Sequence, residues 1–505
     1  MPMLFSATFL AVLLLSLAFL HLVQRLRYRL PPGPKGLPLI GNIFDLPRRF
    51  EWLTYQEWSR QYDSDIVHFE ILGTHVVVLN SAAAASDLFE KRSKIYSDKP
   101  ETTMLHLTGW NRNWGLIKYG DYWRLHRRVF HQYFRSTNVY AYHSASKKAV
   151  RDMIFSLHRT PDKFSQHIRF MTGSNILRIV YAMDIKDEDD PSLSLVEDAV
   201  DVISKIVIPG AYLVDSFPLL RHIPAWFPGS RFKRDAAKWK IIVDEMFMRP
   251  YRELKSSFES GALKPCVLTD MLADISRDTQ GHDPAVLEDV VINTSGTTYA
   301  AAAETTGITL VTLVLAMLMH PEVQKTAQKE MESVLSEGRL PDLDDRESLP
   351  YVTALVKECT RWRPPIPLII RKSLAHDEYK GFHIPAGTIM IGNAWAVLHD
   401  PETYPDPDTF NPSRFLDDAG RLRKDVPDPW ATFGFGRRIC PGRHFALDVL
   451  WLAAAGMLAA FSIEKPVDEL GNVVEPTGEY LPGGISSPAP FKAAFKARSA
   501  LDFAE

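Results

Sequence analysis

A thiol, two guanidinium groups and three glycines crowd into Phe433-Gly434-Phe435-Gly436-Arg437-Arg438-Ile439-Cys440-Pro441-Gly442. A thiolate is both a nucleophile and a soft metal ligand. As an axial ligand of haem iron it pushes electron density onto the metal and favours O–O bond cleavage, which is oxygen activation rather than oxygen storage. Glycines let a loop take backbone conformations strained for other residues and so curl close under a flat macrocycle. Arg438 has a rigid fork of donors suited to a carboxylate such as a haem propionate. Two plainer chemistries compete: a buried structural cysteine in a Gly-rich turn, and a nucleophile built from Cys440 and His444.

The pattern Phe-x-x-Gly-x-Arg-x-Cys-x-Gly resembles the haem-binding loop of the cytochrome P-450 monooxygenases, and matches at every defining position. The resemblance implies haem b (iron protoporphyrin IX) with Cys440 as the axial iron ligand, and Phe433 and Arg438 at the cofactor.

Around residue 300, Thr297-Thr298-Tyr299-Ala300-Ala301-Ala302-Ala303-Glu304-Thr305-Thr306 sets four small residues before an acid and two alcohols. The run resembles the family's signature on its oxygen-binding helix. Dioxygen cleavage needs two protons in an otherwise dry pocket; a hydroxyl can hold a water and a carboxylate can feed it. Glu304 and Thr305 are therefore the expected catalytic pair. Ala302 stands where the family has glycine and adds a methyl on the oxygen side. An Ala-rich core helix is the bland alternative.

Glu358 and Arg361 lie three residues apart, one above the other on a helix face. The resemblance makes them, with Arg414, a structural brace behind the Cys440 loop. Trp123 and Arg127, one helical turn apart, resemble the family's Trp-x-x-x-Arg pair that meets a haem propionate, and Arg371 occupies another propionate position. Lipophilic substrate contacts are expected from Met104, Tyr299, Ala301, Ile366, Leu368, Ile369 and Ile485. Arg124, Arg128, Arg437 and Arg443 flank the presumed proximal side, where an acidic electron donor could dock.

These residues need a scaffold of mainly α class. Helical patterns run over Pro284 to His320, Pro321 to Glu337 and Pro350 to Arg363. Asp65 to Asn80 reads as a hairpin turning at Gly73-Thr74, and a second strand pair is expected around Ile384-Pro385-Ala386-Gly387. The fold expected from the resemblance is the cytochrome P-450 fold, mainly α with small peripheral β-sheets.

Of 505 residues, 46% are hydrophobic and 24% charged, an ordinary globular balance. The net charge of −3 offers no electrostatic case for nucleic acid. Three cysteines, Cys266, Cys359 and Cys440, are too few and scattered for a disulfide framework or a four-cysteine zinc site. Asn293-Thr294-Ser295 is a chance sequon inside a helix pattern. The apolar run from Met3 to Val23 is long enough to cross a bilayer. Arg25, Arg27 and Arg29 follow it and leave the remainder cytosolic by the positive-inside bias. Residues 1–24 are thus read as a single-pass anchor, 25–44 as a basic, Pro-rich hinge, and 45–505 as one catalytic domain.

The resemblance as a whole implies a monooxygenase of the endoplasmic reticulum membrane. It would consume O2, take electrons from NADPH through NADPH-cytochrome P-450 reductase, with cytochrome b5 as a further candidate partner, and oxidise a small lipophilic molecule. Similarity to fungal members points to terpenoid, polyketide or indole secondary metabolites. A haem-thiolate isomerase, dehydratase or peroxygenase, and a non-catalytic haem sensor, are the alternatives.

Overall fold

The computed structural model describes residues 29–498 except 209, 260–263, 276 and 278–280. The expected anchor over 1–24 lies outside the described residues. Helices dominate, and seven of them frame the site: α1 (Glu51–Gln61), α2 (Asp121–Phe134), α3 (Phe164–Tyr181), α4 (Pro191–Ile206), α5 (Pro284–Met319), α6 (Pro350–Trp362) and α7 (Arg443–Ala460).

The 36 residues of α5 make a rod about 54 Å long at ~1.5 Å per residue. Asp283 caps it, its carboxylate accepting from the Ala285 N–H at 2.9 Å, with Pro284 at the first helical position, where a missing N–H costs nothing. At the other end His320 precedes Pro321, which starts the next helix. Both α5 and α7 are apolar enough and long enough to cross a membrane, but both are mostly buried inside the fold. A helix hydrophobic all round is a core helix in such a setting. The sequon residue Asn293 is buried in α5 and donates to Asp289.

The main sheet has four strands. β1 (Ile66–Ile71) and β2 (Thr74–Leu79) form the expected hairpin, pairing Ile66 with Leu79. The next strands are β3 (Leu368–Lys372), β4 (Asp377–Tyr379), β5 (Phe382–Ile384) and β6 (Ile389–Asn393), and the sheet order is β1-β2-β6-β3. The strand pair expected around Ile384 to Gly387 is corrected here. Strands do flank that turn, but β5 pairs with β4, while β6 runs parallel to β2 and antiparallel to β3. The partners of β6 lie far away in sequence, so local pattern could not reveal them. β3 starts at Leu368, after the prolines at 365 and 367, which lack the donor a ladder needs.

Candidate active site

The Cys440 loop closes on itself and leads into α7. The Cys440 N–H donates to Phe433 O at 2.8 Å, and the Arg443 guanidinium donates to Cys440 O at 3.1 Å. Gly436 has φ +55, and a Cβ there would stand 2.0 Å from the Phe89 carbonyl oxygen, so no other residue fits. Gly434 is also left-handed at φ +81, whereas Gly442, at φ −86, needs no such freedom. The thiol of Cys440 lines the floor of a cavity of about 470 Å³. Burial pushes its pKa up, while the Gly442 N–H, Arg127 and Arg443 pull it down.

Four cations, Lys99, Arg127, Arg371 and Arg438, line the same cavity. Arg438 donates to Ser97 O at 2.9 Å and to Ile117 O at 2.8 Å, and its guanidinium lies 4.4 Å from the Trp123 ring centroid. Its third nitrogen, Nη1, and the Trp123 indole N–H are buried without a hydrogen-bond partner among the described residues. Arg371, on β3, is buried beside it, and Arg127 donates to Ile439 O at 2.9 Å. Lys99, unremarked in the sequence, lines the same cavity. It is placed there because Lys372 N–H donates to Asp98 O at 2.9 Å, pinning that segment against β3.

Burial brings Arg438 down to about 9 and Arg371 to about 9, each further disfavoured by a neighbouring cation. Lys99 falls well below its usual value from burial and from Arg371 and Arg438. Asp98 is the acid that opposes this on Arg438. Buried like charges with orphaned donors are costly unless an anion joins them. The two carboxylates of a haem above a thiolate ligand meet that need, so the residues present fit the group.

Above the thiol, α5 turns Ala301, Ala302 and Thr305 into the cavity. The methyl of Ala302 does not break the helix, which runs unbroken through this stretch. Thr305 Oγ1 donates to Ala301 O at 2.8 Å, leaving its lone pairs free. Glu304 is not on the cavity wall: consecutive helix residues point about 100° apart. Its carboxyl, raised by burial and by Glu197 and lowered by Arg169, lies toward the Arg169 and Glu197 pair (3.4 Å) near the surface.

Ile366, Leu368, Ile369 and Ile485 line the cavity with Ala301. Met104 and Tyr299 do not, and both expectations are corrected. Tyr299 is buried against Tyr181, and its hydroxyl donates to Ser192 O. Met104 is wholly buried in the core, its N–H bound by Asp215 at 2.9 Å; its neighbour Leu105 faces the cavity instead.

Glu358, Arg361 and Arg414 come together behind the loop. Arg361 grips Glu358 through Nε (2.7 Å) and Nη2 (2.9 Å), and Arg414 Nε donates to the same carboxylate at 3.1 Å. The arginines also donate to the carbonyls of Leu398 (2.9 Å), Pro407 (2.8 Å) and Pro405 (2.6 Å). Tyr404 then reaches Pro427 O at 3.1 Å, just before the turn that begins the Cys440 loop.

The cytochrome P450 family model matches residues 31–483. A cytochrome P450 monooxygenase of Armillaria gallica is 40% identical over 480 residues, covering 94% of this chain and 93% of that protein. One from Rhodocybe pseudopiperita is 41% identical over 480 residues, with coverages of 94% and 91%. The tryptamine 4-monooxygenase of Psilocybe cyanescens is 39% identical over 479 residues, with 94% of each chain covered.

Proposed function

We propose, from the premise that this chain belongs to the cytochrome P450 family and is a monooxygenase, that it inserts one oxygen atom from O2 into a small lipophilic secondary metabolite. The observation that carries the reading is the half-buried Cys440 at the wall of an aliphatic cavity that also holds cations without enough acids. Haem bound there supplies a thiolate-ligated iron at which O2 is activated.

The chain's own residues do the rest. The Gly442 N–H, Arg127 and Arg443 favour the thiolate of Cys440. Arg438, Arg371, Lys99 and Trp123 hold the carboxylates of the cofactor. Thr305 keeps a hydroxyl at the cavity wall, and Glu304 carries protons from the Arg169 and Glu197 side toward it. Isoleucines and leucines exclude water and orient an apolar substrate. Two relatives' features extend the reading: their fungal origin suits a terpenoid, polyketide or indole substrate, and the name tryptamine 4-monooxygenase puts an indole among these.

Electrons come from an NADPH-dependent reductase docked on the side where Arg124, Arg128 and Arg437 are exposed around the loop. Attachment to the endoplasmic reticulum membrane is supported by exposed Phe44, Leu213, Leu219 and Trp226. These belong to segments that meet where Gly210 approaches Leu46.

The test is Cys440→Ala. It should abolish the thiolate band of the reduced carbon monoxide adduct; a retained band refutes the ligand assignment. Substrate oxidation that consumes no NADPH with reductase present would instead favour an isomerase or peroxygenase.

A further inference from the structure

The same cavity contains a charge that neither the thiol nor the cofactor cradle uses. Glu51, the first residue of α1, lines it together with Leu46, Pro47, Trp52 and Tyr55. Glu51 is 9% exposed and is the one acid among the described residues lining the cavity. No lysine, arginine or histidine pairs with it among the described residues; the hydrogen bond acting on its carboxylate is from its own backbone N–H.

Lys99, the free buried cation of this cavity, does not serve as its partner. The charges that act on Lys99 are Arg371 and Arg438, and those that act on Glu51 include no cation at all. Different elements bring the two to the cavity, Glu51 from α1 and Lys99 from the segment pinned against β3. The cationic groups suit the cofactor's carboxylates, which leaves the acid for something else. Burial raises the pKa of Glu51 and also that of Tyr55, which Glu51 raises further, so the two side chains are neighbours on a largely buried stretch of the wall. A buried carboxylate without a counter-ion is costly, and aromatic rings beside it favour an organic cation.

We propose that Glu51 is a specificity-determining residue that pairs with a positively charged amine at the trailing end of a lipophilic substrate, while the apolar end of that substrate reaches the Cys440 side. This rests on the reading of the cavity as the substrate cavity. Entry is then selective: an alkyl or ring skeleton satisfies the isoleucine and leucine wall, and a trailing ammonium satisfies Glu51. A neutral hydrocarbon of the same size gains only the first.

The experiment uses the full-length, haem-loaded protein and calorimetric titration with octyltrimethylammonium and with 1-octanol. A quaternary ammonium can neither lose its charge nor ligate iron. An ion-pair contact in a site largely shielded from water, with aromatic rings beside it, is worth a factor of about ten or more in affinity. The ratio of the two affinities should therefore fall at least about tenfold in Glu51→Gln. Glu51→Met, which removes the polar group altogether, should show the same fall should the glutamine variant fail to fold. An unchanged ratio in a folded variant overturns the proposal. So does a lowered melting temperature with an unchanged ratio, which would leave Glu51 only the role of stabilising the start of α1. Calorimetry needs no haem signal, so absence of the thiolate band in the parent protein would sink the monooxygenase reading separately.

Discussion

Replacing Glu358 with glutamine keeps the volume of the side chain and removes one charge from the centre of the brace. Glu358 and Arg361 are 0% exposed, and Arg414 is nearly as buried. The carboxylate accepts from Arg361 twice, from Arg414, and from the Asn411 N–H at 2.8 Å. A carboxamide offers one acceptor oxygen and turns an NH2 toward donors, leaving two buried guanidinium groups without a counter-ion. Breaking a buried pair from one side costs about 3–5 kcal/mol, against about 0–1 kcal/mol for an exposed pair such as Arg60 and Glu57. At roughly 2.1 cal/mol/K per residue, the roughly 460 described residues give an unfolding entropy near 1 kcal/mol/K. The melting temperature of Glu358→Gln should therefore drop by about 3–5 °C, and that of Glu57→Gln by about 1 °C or less. Differential scanning calorimetry of the haem-loaded protein measures both. Because the brace reaches the Cys440 loop through Tyr404 and Pro427, the thiolate band should also decay faster on warming in Glu358→Gln. A shift no larger than that of the surface variant would refute the argument that the brace is an electrostatically closed, buried unit.

Three further outcomes are expected. Arg371→Met should raise the melting temperature of the haem-free chain at neutral pH, because the folded pKa of Arg371 is lowered to about 9, so its charged form is a cost that is full below pH 9 and is relieved only as pH rises from there toward the ordinary arginine value. The same variant should release haem at least about tenfold faster to an acceptor globin; a lower haem-free melting temperature would contradict the cradle. Asp215 is pushed up to about 6 by burial, although the Met104 and Thr103 N–H groups pull it down, so below that pH the fold favours its protonated form. Its contribution to stability is present below about pH 4 and lost as pH rises through 6, so Asp215→Asn should flatten the fall in melting temperature between pH 4 and 6, and superimposable slopes would count against it. Thr305→Ala should divert NADPH-derived electrons into hydrogen peroxide, measured as peroxide formed per NADPH; unchanged coupling would remove Thr305 from proton delivery.

The legible parts of this protein are those whose information is local. The Cys440 loop is a run of ten residues whose glycines and arginines must lie close together, and two of its glycines do need left-handed backbone. Glu358 and Arg361 meet because three residues is nearly one helical turn. The helix over Pro284 to Met319 is bounded by an Asp-Pro start and a His-Pro stop. Facing was harder to read. Nothing in the phase of α5 distinguishes Tyr299 from Ala301, because the helix is apolar on every side, and only its packing on Ser192 and Tyr181 turns Tyr299 away. Met104 and Leu105 are adjacent apolar residues in a five-residue helix, too short for periodicity to choose between them.

By itself, the sequence determined the family, because its motifs are residue types at short, fixed spacing, and that resemblance carried with it the expected mainly helical architecture and the expectation of Cys440 as the haem ligand. The tertiary structure decided what distant segments do together. It put β6 between β2 and β3, brought Lys99 beside Arg371 and Arg438, separated Glu304 from the cavity that Thr305 faces, and left Glu51 on the cavity wall with no cation paired to it among the described residues. Charge and burial are properties of surroundings assembled from the whole chain, so a lysine or glutamate that reads as surface in sequence becomes a functional group only once the fold has removed its water.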